Sequence, residues 1–186
     1  MKPVASGAER TGEGLRNEDA VRILQQAFRA EDYDLVNPFA FAPPVAPHLA
    51  ARQVGVDIDF ARIITCCDQL GSRADMVMVE GVGGWRVPLG AGQTLSDLAE
   101  ALAFPVILVV GLKLGCINHA LLTVESIISS ELKLAGWVAN VSDPGMLEMS
   151  GNLETLKHHI NAPLLGYVPR LASPTADAVA ACLDLP

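Results

Sequence analysis

The chain has 186 residues, enough for one domain with a substantial buried core. Hydrophobic residues make up 51% and aromatics only 5%, a composition that suits a sheet of Ala, Val and Leu covered by helices. A net charge of −8 excludes a basic stripe for nucleic acid, and the longest apolar run, 105–110, is too short to span a bilayer.

In chain order, residues 1–7 read as a Pro-fixed turn and a small-residue loop. A helix is predicted over 16–30, with Asn17 as its cap. Pro38, Pro43, Pro44 and Pro47 make 37–47 a rigid loop. Short helices follow over 48–53 and 59–73, the second with Ile63, Ile64, Cys67 and Leu70 at helical spacing. The apolar run 76–80 is predicted to be a buried parallel strand. Thr94 leads a helix over 96–103, which Phe104-Pro105 ends. Strands over 106–110, 134–139 and 164–168 then alternate with helices over 117–130, 147–159 and 175–183. That alternation is the βαβ signature of a single α/β domain over 1–186, with a three-layer, mostly parallel sheet and helices on both faces.

Glu80 stands at the end of its strand, ahead of Gly81, Gly83 and Gly84. Ligands of open α/β sheets bind outside the carboxyl ends of the strands. An acid delivered there before a glycine turn suits a magnesium ion or a phosphorylated ligand. Gly111, Asn140 and Pro169 end or follow the other strands and mark the same edge if the strands run parallel. The four cysteines, Cys66, Cys67, Cys116 and Cys182, show neither a disulfide framework nor Cys-x-x-Cys spacing and read as free thiols. No signal peptide is present, so the expected location is the cytoplasm.

Neither Gly-x-x-x-x-Gly-Lys-[Ser/Thr] nor Gly-x-Gly-x-x-Gly occurs. Seven blocks nevertheless appear in order: Lys2-Pro-Val-Ala-Ser-Gly7, Gly14-Leu-Arg-Asn-Glu-Asp19, Val79-Glu-Gly-Val-Gly-Gly-Trp85, Pro105-Val-Ile-Leu-Val-Val-Gly111, Lys113-Leu-Gly-Cys-Ile-Asn-His119, Gly136-Trp-Val-Ala-Asn140 and Pro163-Leu-Leu-Gly166. In these the chain resembles the dethiobiotin synthetases, ATP-dependent enzymes of biotin synthesis with a P-loop NTPase-like fold. Members of that family open with a strand, a P-loop and a helix. That first βα unit, roughly 35 residues by the usual size of such units, does not precede Lys2 in this sequence.

The resemblance implies a cyclo-ligase that joins 7,8-diaminononanoate, CO2 and ATP to give dethiobiotin, ADP and phosphate. It implies that Lys2 is catalytic, stabilising charge beside the carbamate and γ-phosphate, and that Ser6 bonds the carbamate or an amine. Asp19 and Glu80 become magnesium ligands and, with Gly81, Val82, Gly83, Asn140, Pro169, Arg170 and Leu171, part of the ATP site. Gly115, Cys116, Ile117 and Asn118 open a helix and would bind the substrate carboxylate for the neighbouring subunit of a homodimer. No Ser or Cys partner makes His119 a base, and Trp85 and Trp137 read as packing residues. Without the opening unit the chain is expected to be inactive alone and poorly soluble. The alternative is a non-catalytic homologue that serves as a binding or dimerisation module.

Overall fold

Val4–Ser6 forms the first strand, β1, in the computed structural model, which describes residues 1–185. The chain groups into two units, Met1–Leu102 and Ala103–Pro186. In the first unit, strands β2 (Glu9–Thr11) and β3 (Gly14–Arg16) make an antiparallel hairpin ahead of helix α1 (Glu18–Gln26). The single turn α2 (Tyr33–Val36) leads into strand β4 (Phe39–Phe41). Helices α3 (Pro47–Gln53) and α4 (Phe60–Gly71) follow, then the hairpin β5 (Pro88–Gly90) and β6 (Gln93–Thr94), and helix α5 (Leu95–Leu102).

The helices begin where the sequence places caps. Asn17 accepts from the N–H groups of Asp19 and Ala20, and Asp59 accepts from that of Ala61. Pro47 takes the first turn of α3, where its missing N–H costs nothing.

Three expectations are corrected. Residues 4–6 and 39–41 are strands, not loops, and pair in parallel as Val4 with Phe39 and Ser6 with Phe41. Pro3 and Pro38 stand just before each strand, so neither removes a ladder donor. Val4, Phe39 and Phe41 then join Ile63, Leu70 and Leu98 in the core of this unit.

Residues 76–80, conversely, are extended but form no regular strand. They make a single parallel rung with the chain start: the Met1 amine donates to Met78 O at 2.7 Å and Glu80 N–H to Met1 O at 2.8 Å. One rung leaves too few paired residues for a ladder. The alternation of a strand survives, since Val77 and Val79 pack on the core while Met76 and Met78 are 76% and 62% exposed.

The second unit holds a three-stranded parallel sheet in the order β7 (Val106–Leu112), β8 (Leu134–Val141), β9 (Leu164–Val168). Helix α6 (Cys116–Ser129) connects the first two strands and α7 (Met149–His159) the last two, with α8 (Ala176–Ala180) at the end. Successive side chains of β8 face opposite ways. Trp137, Ala139 and Val141 pack with α6 and α7 on one face. Val138 packs on the other, with Val179 and Leu183. Its three strands are those predicted over 106–110, 134–139 and 164–168, with apolar packing on both faces.

Strand β7 is the sheet edge, and its Ile107 and Val109 are exposed. All four cysteines are free, with Cys66, Cys67 and Cys116 buried. Burial pushes the Cys66 and Cys67 thiols up, which makes them poor nucleophiles.

Candidate active site

Lys2 precedes β1, in a segment held on both sides. Its N–H donates to Val36 O at 2.8 Å and Phe39 N–H donates to Pro3 O, while Met1 makes the rung to residues 78 and 80. A side chain leaving the middle of three adjacent extended segments has little access to water, and that of Lys2 is 6% exposed. Its ammonium has three protons and three partners. Glu80 Oε1 lies at 2.7 Å, Gly81 O at 3.0 Å and Asp19 Oδ2 at 3.1 Å.

The predicted catalytic lysine and both predicted acids therefore meet, although Glu80 lies 78 residues from Lys2. Their side chains are 55% and 57% exposed for Asp19 and Glu80, so the pair opens outward from a buried cation.

The Ser6 hydroxyl is buried and has no hydrogen-bond partner among the described residues. A buried hydroxyl without a partner costs about 1–3 kcal/mol, which a ligand group bonded there removes. Gly81 contributes its carbonyl to Lys2, a contact that the sequence did not suggest. Val82 packs against the core, and Gly83 turns at φ +72, a left-handed conformation that favours glycine. A cavity of about 580 Å³ lined by Thr11, Glu13, Arg16 and Tyr33 lies in this unit too, but none of Lys2, Ser6, Asp19 or Glu80 lines it.

The donor set fits magnesium of one kind only. Among the described residues no three His, Cys, Asp or Glu side chains gather to hold a metal. Asp19 and Glu80 converge on one ammonium, which shows that both carboxylates reach a common cation. Magnesium commonly takes one or two carboxylates and completes its shell with phosphate oxygens and water. Two acids that open to solvent match that demand.

In the second unit, Gly115 caps α6 from the left-handed region at φ +92 and supplies no side-chain bond. Asn118 is exposed within the first turn. Cys116 N–H returns to Lys113 O and His119 N–H to Gly115 O. The amides of Ile117 and Asn118 have no partner among the described residues, the usual state of a helix start. Beside them lies a cavity of about 400 Å³ lined by Gly111, Lys113, Gly115, Cys116, His119 and Ser142.

Asn140 lies in register with Gly111 and Val168, and its side chain makes no hydrogen bond among the described residues. Pro169, Arg170 and Leu171 follow β9 directly, beside the end of β8 where Asn140 is the next-to-last residue.

Parallel strands flanked by helices, with polar groups delivered at their carboxyl ends, define an α/β protein of the P-loop NTPase-like class. A family model described as "AAA domain" matches residues 1–178. The chain is 56% identical over 185 residues to an ATP-dependent dethiobiotin synthetase BioD of Pseudomonas aeruginosa (strain UCBPP-PA14), covering 99% of this chain and 81% of the relative. It is 52% identical over 186 residues to the protein of that name from Aromatoleum aromaticum, covering 100% and 83%. The chain belongs to the dethiobiotin synthetase family. These matches favour neither an inactive chain nor a non-catalytic module.

Proposed function

We propose that this protein closes the ureido ring of dethiobiotin from 7,8-diaminononanoate and CO2 at the expense of ATP. One amine of the substrate adds CO2 and loses a proton to become a carbamate. The γ-phosphoryl group passes to a carbamate oxygen, leaving ADP. The second amine then attacks the carbonyl carbon and loses a proton, phosphate departs, and the ring closes. Such chemistry needs charge neutralisation and alignment more than covalent help from the protein.

The observation that carries this reading is the Lys2 ammonium, buried and held by Glu80, Gly81 O and Asp19. A cation fixed in advance stabilises the charge that builds on carbamate and phosphoryl oxygens without reorganising at the moment of reaction. Ser6, with its unpartnered hydroxyl, bonds the carbamate or the amine. Asp19 and Glu80 would hold magnesium, which would supply charge neutralisation on phosphate oxygens. Gly81, Val82 and Gly83 line the nucleotide.

In the second unit, the unsatisfied amide of Asn140 supports a role in recognising adenine, with Pro169, Arg170 and Leu171 flanking the base. The open first turn of α6, from Gly115 through Cys116 and Ile117 to Asn118, binds the substrate carboxylate for the partner subunit of a homodimer. A family match that runs through both units supports one catalytic domain. Among the described residues no helix is long and apolar enough to cross a membrane, in keeping with a cytoplasmic enzyme.

The test supplies the full chain with the diamine, labelled bicarbonate, ATP and magnesium. One ADP and one labelled dethiobiotin are expected per turnover. ADP formation that does not depend on the diamine would overturn the assignment. A rate indifferent to magnesium would remove the role given to Asp19 and Glu80. Sedimentation of the full chain as a monomer would remove the shared carboxylate site.

A further inference from the structure

We propose that the hydroxyl of Tyr33 is a positioning group for the reaction, a strut that fixes the Lys2 backbone relative to the turn of helix carrying Asp19. This rests on the reading of Lys2 and Asp19 as the working pair.

A closed circuit of hydrogen bonds runs through the site. Lys2 O accepts from Asn37 Nδ2 at 2.6 Å, and Asn37 Oδ1 accepts from the Tyr33 hydroxyl at 2.8 Å. That same hydroxyl oxygen accepts from Asn17 N–H at 2.7 Å. Asn17 Oδ1 accepts from Asp19 N–H at 3.1 Å, and Asp19 Oδ2 closes the circuit on the Lys2 ammonium at 3.1 Å. Asn17 Nδ2 also donates to Ser6 O at 3.4 Å. Three segments distant in sequence, 1–6, 17–19 and 33–37, are thereby joined, with the Tyr33 oxygen bridging Asn17 and Asn37 and the two asparagine amides reaching Lys2 and Ser6.

The direction of every bond is forced. Asn17 N–H can only donate, so the Tyr33 oxygen accepts it and keeps its single proton for Asn37 Oδ1. That orients the Asn37 amide with its NH2 group towards Lys2 O. The flipped amide would set oxygen against oxygen there. Both asparagines are buried, at 8% and 3% exposure for Asn17 and Asn37, so neither finds water as a substitute.

The Arg16 guanidinium lies 4.1 Å from the centre of the Tyr33 ring and helps to fix it. The network reaches the backbones of Lys2, Ser6 and Asp19, which are site residues, and it is anchored in the core where Asn37 Nδ2 also donates to Phe39 O at 3.4 Å and Asn17 Oδ1 also accepts from Ala20 N–H at 3.4 Å. It therefore ties three site residues to the rigid part of the unit.

Tyr33→Phe keeps the ring and removes the strut. Expected in the full chain are a fall in kcat of about tenfold and a several-fold rise in the magnesium concentration for half-maximal rate. KM for the diamine is expected to stay within about twofold. Independently of turnover, acylation of Lys2 by an amine reagent, read by peptide mapping, is expected to speed up several-fold.

Unchanged kcat and unchanged Lys2 labelling in a folded variant overturn the proposal. So does a variant with a lower melting temperature whose folded fraction keeps the wild-type kcat, magnesium dependence and labelling rate.

One measurement needs no variant. In the unaltered protein the Asn17 amide is expected to exchange with deuterium as slowly as core amides, and exchange as fast as that of exposed Glu13 refutes the strut. If Lys2→Ala keeps full turnover while Tyr33→Phe still exposes Lys2 to labelling, the strut stands and the functional reading of Lys2 falls.

Discussion

Replacing Lys2 by alanine takes a buried cation from between two carboxylates and a carbonyl. The cost to folding is modest, because Asp19 and Glu80 are more than half exposed and rehydrate once the ammonium is gone. Ion pairs with that exposure contribute about 0–1 kcal/mol, and the bond to Gly81 O about 1.5–3 kcal/mol as a bond to a charged group. A loss of about 2–3 kcal/mol from a total of ~5–15 kcal/mol leaves the variant almost wholly folded at 25 °C.

The cost to catalysis is larger. Removing one preorganised donor at a site of developing charge lowers kcat by about 10²–10³-fold, or ~2.7–4 kcal/mol of barrier. The two effects separate in one pair of measurements: steady-state dethiobiotin formation and a urea melt on the same preparation. A kcat within threefold of the unaltered protein would refute the electrostatic role. So would a loss of activity that parallels a loss of folded protein.

Other perturbations test the fold around the site. Trp137 is fully buried, and Trp137→Ala should cost about 3–5 kcal/mol in a urea melt, with less than 1 kcal/mol counting against the packing described. A Cβ on Gly136 would meet Leu165 Cγ at 2.6 Å and Pro163 O at 2.9 Å, so Gly136→Ala is expected to destabilise by about 1–3 kcal/mol through overpacking. Hydrogen bonds to Asp97 from the Thr94 N–H, at 2.6 Å, and from its hydroxyl, at 2.8 Å, hold the carboxyl below its ordinary range. The unfolded chain then takes up this proton at higher pH, so the stabilisation is complete above about pH 4 and fades as pH falls through the folded value. Asp97→Asn should lose stability at pH 7 and converge with the unaltered protein in acid, and a constant difference across pH would contradict this. A thiol reagent should modify Cys182 faster than buried Cys66, Cys67 and Cys116, and equal rates would show that the core opens on the timescale of labelling.

Local chemistry made much of this legible in the sequence. The helices α1 and α4 begin at Asn17 and Asp59 because a side-chain oxygen before an amphipathic run has one good use there. Strands β7, β8 and β9 stand out as apolar, β-branched runs between helical segments, and each is longer in the fold or equal to its expected span. Glu80 was legible from its place after an apolar run and ahead of a glycine turn, whereas Asp19 was legible only through the family blocks, since it carries no local signal that separates a ligand from a surface charge. Tyr33 and Asn37 went unremarked, although their spacing of four residues brings them together across one helical turn.

Caps, periodicity and apolar runs act over a few residues, so the α/β class, the helix starts and the parallel strands of the second unit can be read from the residues alone. The folded chain was needed to make residues 4–6 and 39–41 strands, because three residues carry no readable period and their pairing joins segments far apart in the chain. It also decided where the cation goes. Lys2 is an unremarkable terminal lysine until Met1, Val36 and Phe39 clamp its backbone from both sides and Glu80, Gly81 and Asp19 take its three protons. Desolvation then makes those partners obligatory, which no property of Lys2 alone could require.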